Sequence, residues 1–272
     1  MNFERSIAGV SVIYLVVFVV ERVPGLRFRP LAFRRAFLGT DLAWYGMAIA
    51  MTAVSVFVLR PLLDGLQIAA LAERVGALPG MARFALAVLV FDLISYGVHR
   101  GLHRSDLLWS IHKVHHSTLQ LDALATTRTH MLENLLRFMP GQLVLFLIGI
   151  PAAQIAPTVA LAAAYGIVDH SNLGVNARRV EGMLVTPRLH RRHHVPETSD
   201  KNFGAMFTIW DRLFGSFIAV DTLPDERFGC PGEIDTYPQR FAQSVLQPQR
   251  DIRSVIRRRR IADSLAESTP LR

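Results

Sequence analysis

Five runs of apolar residues, separated by short polar and basic segments, set the layout of this chain. Ile7 to Val20 is almost uninterrupted hydrocarbon, Leu42 to Leu59 is a second run ended by Arg60 and Pro61, and Met81 to Val98 is a third. Leu135 to Ile150 and Ala152 to Val168 follow, divided at Pro151. Each of the first three approaches the ~20 residues that a bilayer core requires. No small-residue cleavage site follows the first run, where Glu21, Arg22, Val23 and Pro24 stand, so it reads as a retained helix and not as a signal peptide. The break at Pro151 fits two shorter helices forming a hairpin, and Arg137 and Pro140 in the first arm, Pro157 in the second and the modest length of both count against each arm spanning fully. The expected fold is therefore all-α and membrane-embedded, with about four to five transmembrane or re-entrant helices.

Loop charge orients that layout. Arg22, Arg27, Arg29, Arg34 and Arg35 lie between the first two runs, against Arg60, Arg74 and Arg83 between the second and third. An excess of arginine marks cytoplasmic loops, which places the N-terminus outside and the first loop inside. The third helix then emerges on the cytoplasmic face at His99, and the hairpin leaves and returns to the same side. The expected location is an integral membrane protein of a bacterial inner membrane with a cytosolic cap. The chain divides into N-terminal membrane helices (1–80), a central domain (81–220) containing the hairpin (131–168), and a basic C-terminal tail (221–272). No internal repeat or low-complexity linker interrupts it.

Composition agrees: of 272 residues 51% are hydrophobic, yet the formal net charge is +8. The run Arg257, Arg258, Arg259 and Arg260 lies outside any recognisable nucleic-acid module and reads as a segment facing an anionic leaflet. Cys230 is the single cysteine, so a metal site here must be built mainly from nitrogen and oxygen.

That site is announced by the histidines. All ten fall between His99 and His194, and eight form three clusters: His99 and His103; His112, His115 and His116; His190, His193 and His194. Two imidazoles three or four residues apart on one helix face reach one ion readily. His130 and His170 flank the hairpin, at the same interface as the clusters. Ten imidazoles exceed the four to six ligands of one ion, which implies two metals. No H-E-x-x-H occurs and no cluster contains a carboxylate, which argues against hydrolytic zinc and for a redox-active pair, iron first. Asp92 and Tyr96 share the helical face of His99, where either orients a ligand or the two satisfy each other. Trp109, Trp210 and Phe214 read as packing or interfacial residues. A non-catalytic metal-binding protein or transporter is the alternative, but apart from Asp92 and Arg137 the apolar runs are poor in the ionisable residues of an ion path.

The clusters in this order, the third within Thr186-Pro187-Arg188-Leu189-His190-Arg191-Arg192-His193-His194, are followed by Asn202-Phe203-Gly204 and Trp210-Asp211-Arg212-Leu213-Phe214-Gly215. From about Asp92 to Phe217 the chain resembles the fatty acid hydroxylase and sterol desaturase superfamily. The resemblance implies a few transmembrane helices under a cytosolic cap, and two iron ions, with zinc able to replace them on purification. It also implies an O2-dependent hydroxylation or desaturation of a lipid, sterol, fatty acyl or related. It makes His99, His103, His112, His115, His116, His190, His193 and His194 ligands, with His170 in its His-Ser-Asn segment a ninth. Arg128-Thr129-His130-Met131-Leu132-Glu133 is similar to the superfamily's Arg-x-His-Pro-x-Glu stretch with Met131 in place of proline, which makes His130 a tenth. No histidine lies outside the metal region to form a haem pair, and no glycine-rich dinucleotide fingerprint is present. Electrons are therefore expected from a separate donor, a ferredoxin or b-type cytochrome with its reductase.

Overall fold

A computed structural model describes residues 3–31, 37–54, 66–174, 176–220 and 227–268. Among these the fold is all-helical, and the β structure is limited to two isolated bridges, Arg27 with Leu173 and Leu184 with Phe207. The helices are α1 (Phe3–Val20), α2 (Leu38–Val54), α3 (Ala69–Gly76), α4 (Gly80–Arg104), α5 (Asp106–His116), α6 (Met131–Leu147), α7 (Ala152–Asp169), α8 (Pro187–His193), α9 (Ile209–Leu213) and α10 (Phe241–Ser268). A 3-10 turn, Ala123–Thr127, follows α5. The expected end of the second apolar run, residues 55–59, lies outside the described residues.

Among the described residues two helices, α4 and α7, are long and apolar enough to cross a membrane, and Ala8–Val20 is a shorter apolar helix. Pro140 and Pro157 do not break α6 or α7. Each proline removes one N–H from the ladder, and packing on neighbouring helices holds such a helix together. On α1, Val12, Leu15, Val16 and Val19 remain exposed while Val17 packs with Ala123 and Ile167, as expected of a helix with one face to lipid.

A hydrophobic core lies at the contact of α4 with α6 and α7, where Ala87, Phe91, Leu145 and Ile150 are buried together. Gly141 of α6 meets the Phe91 ring so closely that a Cβ there would lie 2.7 Å from Phe91 Cδ2. Gly141→Ala is accordingly expected to cost about 1–3 kcal/mol through overpacking, read as a lower unfolding midpoint in detergent. An unchanged midpoint would mean that the two helices can separate freely.

Buried ion pairs fasten the first two helices to the central domain. Glu21, just past α1, accepts the backbone N–H groups of Ala123 (3.0 Å) and Asn172 (2.9 Å). Arg22 donates to Glu21 (2.7 Å) and Asp122 (3.1 Å), and Arg128 holds Asp41 of α2 through Nε (3.0 Å) and Nη2 (2.9 Å). These charges are retained because each is paired and hydrogen-bonded; removing one partner would strand the other.

The expected C-terminal tail contains the long helix α10, which packs along α5. Lys113 pairs with Glu233 and with Asp251 (3.4 Å), and Arg259 approaches Asp106 (3.6 Å). Spacing of the basic residues alone did not reveal this docking.

Candidate metal centre

Four helices bring nine histidines together. His99 and His103 stand one turn apart near the end of α4, and His112, His115 and His116 lie on α5. His190 and His193 belong to α8, His194 is its C-cap, and His170 is the C-cap of α7. The nitrogens form two groups, within each of which all lie within 4.8 Å of one another: His99, His103, His112, His116 and His193, and then His115, His170, His190 and His194. The H-x2-H-H spacing explains the doubling. On α5, His112 and His116 point to one group and His115 to the other; on α8 and its cap, His190 and His194 join the second group and His193 the first.

The nitrogens are arranged as ligands would be. In the second group Nε2 of His170 lies 3.0 Å from that of His115 and 2.9 Å from that of His190, and His194 and His190 are 3.2 Å apart. Two nitrogens bound to one ion at about 2.1 Å and at right angles are separated by about 3 Å. In the first group Nε2 of His99, His103, His112, His116 and His193 is buried without a hydrogen-bond partner. Orphaned buried nitrogens are costly unless their lone pairs are used, and five converging on one point fit a cation. Burial pushes the His112, His115, His116, His190 and His194 imidazoles well below their usual pKa, and His193 down to about 3. They are therefore neutral at pH 7, the form that binds a metal.

The other ring nitrogens are held by fixed acceptors. His99 Nδ1 lies 2.9 Å from the Phe203 carbonyl, His193 Nδ1 2.7 Å from the Lys201 carbonyl, and His112 Nδ1 2.7 Å from Glu133 Oε1. His170 Nδ1 faces Asp169 and the Gly166 carbonyl (2.7 Å). Such partners set the tautomer so that Nε2 presents its lone pair.

Neither expectation for Asp92 and Tyr96 holds. Asp92 accepts the N–H groups of Met206 (2.8 Å) and Phe207 (3.1 Å) and the indole N–H of Trp210 (2.8 Å), while Tyr96 bonds Ser216 (2.8 Å). Both anchor the segment that carries Phe203, so they act on His99 only through that segment's carbonyl. Asp211 closes the same loop by accepting from Phe203 N (2.8 Å), Gly204 N (2.7 Å) and Ser216 Oγ (2.7 Å). A Cβ at Gly204 would fall 2.8 Å from Asp211 Oδ2, which explains the glycine. Phe214 stacks on Tyr96 and Trp109 packs beside His103 and His116, in keeping with packing roles.

His130 is not brought into either group. It is the N-cap of α6, its Nδ1 accepting the Leu132 N–H (3.3 Å), and its ring lies 6.4 Å from that of Trp44. Three carboxylates were missed from the sequence. Glu133 and Asp169 had available signals, the first closing the Arg-x-His-x-x-Glu stretch and the second directly preceding His170; Asp211 stood inside a quoted motif without an assigned role.

Residues 84–216 match the fatty acid hydroxylase family. The chain is 32% identical over 172 residues to an ornithine lipid hydroxylase of Rhizobium tropici, covering 62% of this chain and 51% of that protein. It is 33% identical over 137 residues to an alkylglycerol monooxygenase of Danio rerio (48% and 30% covered) and 28% identical over 174 residues to a lathosterol oxidase of Rattus norvegicus (62% and 56%). The chain thus spans about half or less of the length of these relatives. No solved structure matches it.

Proposed function

Because residues 84–216 belong to the fatty acid hydroxylase family, we propose that this protein is a membrane-bound di-iron oxidoreductase that uses O2 and external electrons to hydroxylate or desaturate a lipid. The observation that carries this reading is the pair of enclosed imidazole groups, five residues and four, served by the same helices α5 and α8. Iron held there would supply the oxygen activation that inert C–H bonds need, with one O2, two electrons and two protons giving the alcohol and water, or the alkene and two waters.

The chain's own residues do the rest. Phe203, Lys201, Glu133 and Asp169 fix the imidazoles in one tautomer. Burial of all nine histidines except the half-buried His103 keeps bulk water away. The apolar surfaces of the α6–α7 hairpin offer a path for a hydrocarbon chain from the bilayer. The arginine-rich first loop supports a cytoplasmic position for this centre, and the basic end of α10 is suited to the anionic leaflet of a bacterial inner membrane.

The test is anaerobic purification with metal analysis, followed by O2 consumption and lipid analysis in nanodiscs. About two irons per chain are expected, and turnover only when NAD(P)H is accompanied by a ferredoxin or b-type cytochrome and its reductase. Sustained turnover from NAD(P)H alone would show an electron-transfer module within the chain. Bound metal with no O2 consumption under any donor would favour a non-catalytic metal-binding protein.

A further inference from the structure

Four residues apart on one face of α6 stand Glu133, Arg137, Gly141 and Leu145. Three of them are enclosed: Glu133 against His112, Gly141 against the Phe91 ring, and Leu145 in the hydrophobic core. Arg137 is the exception. Its side chain keeps 23% of its surface although its neighbours on the stripe above and below are buried, so it can be reached from outside the protein at that level.

The Gly141–Phe91 contact closes the stripe about 6 Å along the helix on one side of Arg137, and the Glu133–His112 pair closes it at the same distance on the other. The guanidinium has no hydrogen-bond partner among the described residues. Its ion-pair neighbour there is Glu133 at 3.7 Å, a carboxylate already engaged by His112. The oxygen it approaches is the one that accepts from His112 Nδ1, which places the guanidinium one residue away from the metal-facing imidazoles. A cation with five N–H donors in an apolar membrane arm is expensive unless something pairs with it, and planar carboxylate or phosphate groups are its best partners.

We propose that Arg137 binds the anionic group, carboxylate or phosphate, of the lipid substrate at the partly exposed site beside the Glu133–His112 pair, so that the carbon oxidised lies within a few bonds of that group. This rests on the lipid-oxidising reading of the site and narrows its substrate to lipids that carry a negative charge.

The experiment measures binding without turnover, in the absence of O2, so that its outcome is separate from that of the oxidation assay. Radiolabelled palmitate, hexadecyl phosphate and hexadecanol, equal in chain length, are titrated against metal-loaded protein in a neutral detergent. One or both anionic probes are expected to bind about tenfold more tightly than hexadecanol, and Arg137→Gln to remove the difference while leaving hexadecanol unchanged. Equal binding of all three by the unmodified protein, or a preference that survives in Arg137→Gln, would overturn the proposal. If Arg137→Gln loses its metals, Arg137→Lys decides: the retained charge should preserve part of the preference, and its complete loss in a metal-loaded lysine variant counts against a charge-recognising site. Millimolar inorganic phosphate is expected not to displace palmitate; displacement would assign Arg137 to a free anion and reject the lipid.

Discussion

Replacing His116 with alanine is expected to leave less than about 1% of turnover and to release metal, without removing the protein from the membrane. Its ring stands between the two groups, 4.8 Å from His103, 4.8 Å from His112 and 4.9 Å from His193 on one side and 4.4 Å from His194 on the other. Both of its ring nitrogens are buried without a hydrogen-bond partner. Losing this side chain therefore removes a donor from the first group and opens the partition between the two. His112→Ala and His193→Ala should behave alike, since each supplies an Nε2 from a helix that serves both groups. His130→Ala gives the contrast: full metal content, with a stability loss of about 1 kcal/mol from the missing N-cap acceptor. Metal analysis and activity of the purified variants check the pattern. A metal-depleted His130→Ala beside a metal-replete His116→Ala would reverse the assignment.

Glu133→Ala is expected to lower metal affinity or activity by about 10–100-fold, although the carboxylate belongs to neither group. Glu133 is fully buried and its Oε1 accepts from His112 Nδ1 at 2.7 Å, so its loss frees the ring to rotate and to protonate the wrong nitrogen. Glu133→Gln keeps an acceptor oxygen of the same reach and should fall between alanine and the unmodified protein. The ranking separates the proton-accepting role from mere filling of space, because Glu133→Leu fills the volume and should resemble alanine. Iron titration and initial rates measure it; a leucine variant as active as the unmodified protein would exclude the hydrogen bond as the cause.

Local spacing carried much of the chemistry. The i, i+4 pairs on α4 and α5 and the H-x2-H-H motif select nearby faces of single helices, and helix geometry makes such residues neighbours whatever the rest of the chain does. Apolar runs likewise reported α4 and α7 directly, because length and hydropathy are properties of a segment. The hairpin divided at Pro151 was legible too, and Pro140 and Pro157 lie inside its two continuous arms, where neighbouring helices support the backbone. The basic C-terminal region, read as a tail, contains α10, and the pairing of its Asp251 with Lys113 of α5 joins residues too distant in sequence for spacing to reveal.

The division of nine histidines into five and four depends on how α4, α5, α7 and α8 are set against one another, which no single segment encodes. Adjacent histidines such as His115 and His116 were indistinguishable by spacing, and only the placement of His170 and His103 on opposite sides of α5 separates them. The same holds for Asp92. Its helical face placed it near His99, but its two oxygens were claimed by Met206, Phe207 and Trp210, more than one hundred residues away, because a buried carboxylate takes whatever donors the packed chain brings to it.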